Sequence, residues 1–307
     1  MENSQVSVVL QPNSISLRVA KYLKERFPVA VAMVFSLLFS LSVGVYLYPS
    51  KNFKELLLSR IIVIVSLTLF LFLFRLRLSD ELKDFSYDSS YHSNRPIQRG
   101  LLSLSEVKWI LVLVLACEIF LQIFVGRAGA LVFIGILIYS WLMFREFYLK
   151  RFLTSRLALT LFIHQLIFLG YVFYVATALL GHFYVPRSVA DFALLTFLFS
   201  PPLLFELGRK LAHRQDEKGN ITNDTYIYRW GFPKAFWLTF IVASMQAVSF
   251  YLIIAPVRRW LAVPLFFGLA VILFVYFTTP TRVSASAKYW TVGFAILAML
   301  AFMFNKS

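Results

Sequence analysis

Between positions 80 and 88 the chain reads DELKDFSYD, with carboxylates at Asp80, Asp84 and Asp88 and a further one at Glu81, three residues before Asp84. Residues four apart share a face of a helix, so this spacing predicts one carboxylate stripe on a helical segment. Like charges so aligned repel, and the array costs stability unless cations bind it. An oxygen-only ligand set suits a hard divalent ion, above all Mg²⁺. Mg²⁺ keeps several waters and is held by one or two carboxylates together with substrate phosphates. The chemistry to which the stripe points is therefore the binding of a diphosphate-bearing substrate.

The stripe is not isolated. Of the 15 acidic residues, eight lie in two groups: the four above, and Glu206, Asp216, Glu217 and Asp224. Basic residues of the kind that hold phosphate accompany them: Arg95 and Arg99 in NRPIQRG, Lys150 and Arg151 in YLKR, Arg209 and Lys210 in ELGRK. A lone acid run is usually a solvated charged loop. Helical spacing, a second acidic group and flanking cations together argue for a site.

The elements that must carry these residues are membrane helices. The 307 residues are 60% hydrophobic and only 15% charged, whereas an average soluble domain is about 25% charged. Apolar runs fall near 28–49, 56–75, 108–125, 128–148, 156–180, 188–205, 232–255, 260–279 and 286–304, each long enough to cross a bilayer. The expected fold is an all-α polytopic bundle of about nine transmembrane helices. It forms a single unit over 1–307, with an N-terminal tail and interfacial helix at 1–27 and acidic motif loops at 76–107 and 206–231. With the N-terminus inside, 22 of the 30 Lys and Arg residues fall on the inner side, which predicts a cytoplasmic N-terminus and an outer C-terminus. Four helices separate the acidic groups, and an even number of crossings returns the chain to its starting side, so both groups face one side of the membrane. The formal charge of +15 sits in short loops rather than in a stripe with exposed aromatics, which argues against nucleic acid and for anionic lipid and topology. The single cysteine, Cys117, excludes disulfides, CxxC redox chemistry and thiolate metal sites.

The segment from Asp80 to Asp88 resembles the NDxxDxxxD signature of the UbiA superfamily of intramembrane prenyltransferases. Asp80 stands at the Asn position, Glu81 at the first Asp, and Asp84 and Asp88 match outright. Arg95, Pro96 and Gly100 fall where many members carry an RP…G turn. Glu206 is similar to the leading Asp of the family's second acidic motif, with Asp216 and Glu217 near its trailing acids. Tyr148, Lys150 and Arg151 resemble the Y…KR element after the fourth helix. The chain departs from the pattern where Glu replaces Asp at 81 and 206, and where Arg209, Lys210 and His213 enter a usually more acidic run.

The resemblance implies a Mg²⁺-dependent transferase that ionises an allylic polyprenyl diphosphate and passes the prenyl group to an aromatic or other lipophilic acceptor. Metal would be held by Asp80, Glu81, Asp84, Asp88, Glu206, Asp216 and Glu217. Diphosphate oxygens would meet Arg95, Arg99, Lys150, Arg151, Arg209 and Lys210, with Asp84, Asp88, Arg95 and Lys150 central to catalysis. Polar residues inside spans should face the bundle interior. Glu146 and His164 are candidates for the acceptor pocket, although an interhelical hydrogen bond accounts for His164 as well, and Glu118 reads as structural. Two other functions stand beside this one: a UbiA-type terpene cyclase, which needs no acceptor, and a transporter or lipid-binding protein whose acids bind cations without chemistry. The expected partners are prenyl diphosphate, acceptor and membrane lipid, with no obligate protein partner; the expected location is the bacterial inner membrane.

Overall fold

A computed structural model describes residues 14–211 and 225–304. Among them are helices and no strands, and nine helices are long and apolar enough to cross a membrane. These are span 1 (Val29–Leu47), span 2 (Arg60–Lys83), span 3 (Leu104–Phe124), span 4 (Arg127–Phe144), span 5 (Leu157–Leu180), span 6 (Val189–Arg209), span 7 (Phe232–Ile253), span 8 (Pro256–Thr278) and span 9 (Pro280–Met303). A helix at Ile15–Arg26 precedes them. The chain is an integral membrane protein.

Two boundaries differ from the sequence reading in ways that matter. Span 2 runs on to Lys83 rather than ending at 75, because intrahelical bonds satisfy the backbone while Arg75 and Arg77 find carboxylate partners. Asp80 and Glu81 thus lie on the last turns of a membrane helix, the helical segment that their spacing predicts. The stripe is also bent. At Asp84 the backbone (φ −94°, ψ 5°) leaves helical geometry, and a separate short helix, Phe85–Tyr91, follows. Asp80 and Asp84 are consequently exposed while Asp88 is buried.

Contacts confirm the alternation of spans. On one face, hereafter the motif face, Arg18 of the N-terminal helix makes a bidentate pair with Glu106 at the start of span 3 (2.6 and 3.1 Å). Leu211, just after span 6, accepts at its carbonyl from Ser284 of span 9 (2.9 Å). At the opposite face Tyr46, ending span 1, donates to Asp191 at the start of span 6 (2.9 Å). Tyr48 there donates to the Leu179 carbonyl at the end of span 5 (2.6 Å). Spans 1, 2 and 6 bury over half of their apolar windows; spans 3, 4 and 8 bury less than a third and turn the rest outward. Span 6 packs on spans 7 and 9, span 2 on spans 1 and 3, and span 5 on spans 1, 2, 4 and 6.

Lipid offers no hydrogen bonds, so polar side chains inside such a bundle must satisfy one another. Arg75 of span 2 does so with Glu118 of span 3 (2.8 Å) and with Ser140 Oγ of span 4 (2.8 Å), all three buried. The carbonyl of Glu118 accepts from Gln122 (2.7 Å), whose own amide oxygen accepts from Tyr174 of span 5 (2.9 Å). Arg75, the last residue of the second apolar run, thus joins spans 2, 3 and 4, and the Gln122–Tyr174 bond adds span 5. Removing one partner of a buried pair leaves an uncompensated charge, at about 3–5 kcal/mol. Glu118→Ala is therefore expected to destabilise the protein by about that amount in mixed-micelle unfolding, whereas the double change Arg75→Met with Glu118→Leu should lose much less; equal losses would show that the pair's charges are not what is being compensated.

Candidate functional site

Span 2 delivers the first motif to the motif face, and each of its acids meets a different fate. Glu81 is fully buried at its side chain. Its Oε1 accepts from Arg77 Nη2, one turn back on the same helix (2.5 Å), and from Arg26 Nε of the N-terminal helix (3.0 Å). Its Oε2 is buried with no partner. Tyr22, one turn before Arg26, is fully buried beside this triad, and burial, reinforced by the Glu81 charge, raises its phenol well above the usual range. Burial lowers the Arg26 pKa, as does Arg77, while Glu81 opposes both. Asp88 is buried and paired with Arg95. Among the described residues Asp80 and Asp84 make no ion pair, and both are exposed. The Asp84 backbone N–H donates to the Asp80 carbonyl (2.8 Å), so the two stand one turn apart on one face. Although Asp84 reaches solvent, the surrounding protein displaces enough water to raise its pKa, with Lys83 opposing the rise and Asp88 adding to it.

Span 6 brings the second group. Pro201 and Pro202 interrupt its helix without ending it, and Glu206 lies in the last turn. Its carboxylate accepts from Arg209 (2.8–3.2 Å) and pairs with Lys210 Nζ (2.8 Å). Lys210 also lies over the ring of Tyr226 (5.2 Å), which stacks on Trp230. The two groups come within electrostatic reach of each other, since Asp80 feels the charges of both Arg209 and Glu206. Asp216, Glu217, Asp224 and His213 lie outside the described residues.

Span 4 contributes a third element through an unusual turn. Glu146, Phe147 and Tyr148 all take left-handed backbone angles (φ 49°, 53° and 59°), a conformation that costs L residues roughly 1–2 kcal/mol each. What holds them is Lys83, paired with Glu146 at 2.6 Å, and the ring of Phe147, which packs edge-on against His164 and Tyr139. Glu146 Oε2 is buried and without a partner. His164 Nδ1 meets the Thr160 carbonyl at 2.8 Å; a carbonyl only accepts, so Nδ1 carries the proton and Nε2 has the lone pair. Lys83, Glu146 and Glu206 all act electrostatically on His164. The structure thus draws Asp80, Glu146, His164, Glu206 and Arg209 toward one region of the motif face.

Other residues singled out by sequence lie differently. Arg99 is bidentate to Glu25 of the N-terminal helix (2.7 and 2.8 Å), and Lys150 and Arg151 are exposed at the start of the helix Lys150–Thr154. Arg26, Arg77 and Lys83 were not picked out by sequence. Arg77 alone had a local signal, its four-residue spacing from Glu81; the partners of Arg26 and Lys83 come from distant segments.

Among the described residues no three His, Cys, Asp or Glu side chains converge as a metal-binding set. Asp80 and Asp84 nevertheless fit one magnesium ion: two adjacent oxygen donors, open to water, with no cation already on them, match an ion that completes its shell with water and substrate phosphate.

Comparison with solved structures places this architecture. The chain superposes on a digeranylgeranylglyceryl phosphate synthase with a TM-score of 0.55 at 12% identity, covering 94% of this chain and 99% of that one. It superposes likewise on a UbiA homologue from Archaeoglobus fulgidus bound to DMAPP and Mg²⁺ (TM-score 0.52) and bound to GPP and Mg²⁺ (0.51), each at 12% identity and over 92% of this chain and 99% of that one. No protein-family model and no curated protein matches the sequence. The fold is that of the UbiA homologues.

Close packing of span 6 on span 9 sets the height of Glu206 and Arg209. A Cβ on Gly208 would lie 1.9 Å from Thr291 Oγ1, 2.9 Å from its Cβ and 3.0 Å from the Ala287 carbonyl. Overpacking of this kind costs about 1–3 kcal/mol. Gly208→Ala is expected to lower the thermal midpoint in detergent by several degrees, and Gly208→Ala with Thr291→Ala to recover only part of it, because the 291 Cβ and the Ala287 carbonyl still lie within 3.0 Å; an unchanged midpoint in Gly208→Ala would mean that span 9 does not set this contact.

Proposed function

We propose that the protein is an intramembrane prenyltransferase that ionises an allylic prenyl diphosphate at its motif face and passes the prenyl group to a lipophilic acceptor within the membrane. The observation that carries this reading is the approach of Asp80 on span 2 to Glu206 and Arg209 on span 6, two motif groups 126 positions apart, in a fold shared with homologues bound to DMAPP or GPP and Mg²⁺. The resemblance of DELKDFSYD and RPIQRG to the family's first motif supports it from the sequence side.

The chain's own residues divide the work. Asp80 and Asp84 would hold magnesium, which when bound supplies Lewis-acid neutralisation of the departing diphosphate. Arg209 and Lys210, fixed by Glu206, present guanidinium and ammonium protons in preset directions, so that negative charge developing on the leaving group meets oriented donors. Arg95 would do the same from the Asp88 side. The apolar interior below this face takes the prenyl chain and keeps water from the allylic cation. His164, with its Nε2 lone pair, would accept a proton from an acceptor hydroxyl, within electrostatic reach of Glu146. The N-terminus is cytoplasmic on this reading, in the inner membrane of a bacterium, by the bias of Lys and Arg toward the motif face.

Two variants test the assignment. Asp84→Asn is expected to abolish Mg²⁺-dependent diphosphate release while the protein stays folded in detergent; release at the normal rate would remove Asp84 from the site. Arg209→Ala is expected to weaken prenyl diphosphate binding about 10-fold or more, the scale of a charge-assisted hydrogen bond, as measured by titration of the purified protein. Incubation with labelled geranyl, farnesyl and geranylgeranyl diphosphates, with and without lipid extract, separates transfer from cyclisation, because only a cyclase yields hydrocarbon without acceptor.

A further inference from the structure

The N-terminal helix, Ile15–Arg26, is gripped along one side. Arg18, Tyr22 and Arg26 recur every fourth residue and so share a face. On that face Arg18 holds Glu106 and the Leu101 carbonyl (3.3 Å), Tyr22 is fully buried, and Arg26 donates to Glu81. Leu17, Lys21 and Lys24 recur at four and three residues along a different face, and all three are exposed, as is Ala20 between them. Leu17 keeps 59% of its surface open. Only Phe27 and Pro28 separate this helix from span 1, so its open face stands at the edge of the membrane.

The neighbours of the helix fix its depth. Arg18 ties it to Glu106 in the first turn of span 3, and Trp109, three residues further on, is 71% exposed beside an exposed Lys108. Tryptophan and lysine at the end of a span mark the headgroup layer. A helix pinned at that level lies along the bilayer surface. A face of leucine and lysine suits the position, because the methyl groups enter the acyl boundary while ammonium groups on long stems reach lipid phosphate. Charge points the same way. The acids at this helix, Glu25, Glu81 and Glu106, are all paired with arginine, and among the described residues Lys21 and Lys24 make no salt bridge.

We propose that Leu17, Lys21 and Lys24 form a docking surface for anionic lipid headgroups, and that headgroup charge there steadies the helix that carries Arg26 to Glu81. Lipid holds one face of the helix and the motif holds another. Lipid charge therefore bears on the end of span 2, where Asp84 and the helix Phe85–Tyr91 follow Glu81.

Hydrogen exchange reads both halves of this proposal. The purified full-length chain is placed in nanodiscs of phosphatidylcholine alone or of equimolar phosphatidylcholine and phosphatidylglycerol, and amide exchange is followed by mass spectrometry. In the anionic bilayer the amides of 15–26 are expected to exchange at least about 5-fold more slowly, the scale of one lysine at a charged surface, and those of 84–91 to slow with them. Added salt should shrink the difference. Lys21→Gln with Lys24→Gln should erase it, and the exposure of both side chains lets that variant fold. Lys108→Gln, which removes an exposed cation at the start of span 3, should keep it. Equal exchange in the two bilayers would overturn the proposal. So would slowing that survives in Lys21→Gln with Lys24→Gln, since the headgroups would then act elsewhere. Slowing confined to 15–26 would sever the link to the motif.

Discussion

A carboxylate that leaves water at the end of a membrane helix must find a cation, and much of the motif face is organised by how Glu81 does so. Its two partners come from different places: Arg77 from one turn back on span 2, and Arg26 from the N-terminal helix 55 positions away. The first pairing is local and stabilises the last turns of the span. The second docks the N-terminal helix against the motif, where Tyr22 fills the remaining space and the Arg18–Glu106 and Arg99–Glu25 pairs hold its two ends. A single desolvated oxygen thereby couples the entry of the chain into the membrane to the geometry of Asp80 and Asp84.

The same rule acts deeper in the bundle. Apolar packing between membrane helices gains little over packing against lipid, so directional pairs carry much of the specificity of assembly. Arg75 selects spans 3 and 4 as the neighbours of span 2, and the Gln122–Tyr174 bond adds span 5. At the opposite face Asp191 accepts from Tyr46 and Tyr184 and from the backbone at Arg187 and Ser188, fixing the start of span 6 against the end of span 1. Span 6 is thus held at one end by a capped aspartate and at the other by close contact of Gly208 with span 9, with Glu206 and Arg209 carried between.

The left-handed turn at 146–148 shows the opposite situation, in which local preference is overridden. Nothing in EFY favours positive φ. The pairing of Glu146 with Lys83 and the packing of Phe147 on His164 and Tyr139 offset the strain. The turn in return sets the Glu146 carboxylate from the end of span 4 on Lys83 of span 2 and within electrostatic reach of His164 in span 5.

The sequence by itself determined the nine apolar spans, their alternation, and that both acidic groups begin on one side, because hydropathy, length and the parity of crossings depend on composition and order alone. It also marked Asp80, Asp84, Glu206 and Arg209 as residues of one face. Tertiary structure alone decided which acids are free and which are bound. Asp80, Glu81 and Asp84 look alike in a row of letters, yet Glu81 is neutralised by a helix that the sequence places far upstream, Asp88 is turned inward by a break at Asp84, and Asp80 remains open. Electrostatic fate depends on desolvation and on partners distant in the chain, and neither is a property of spacing.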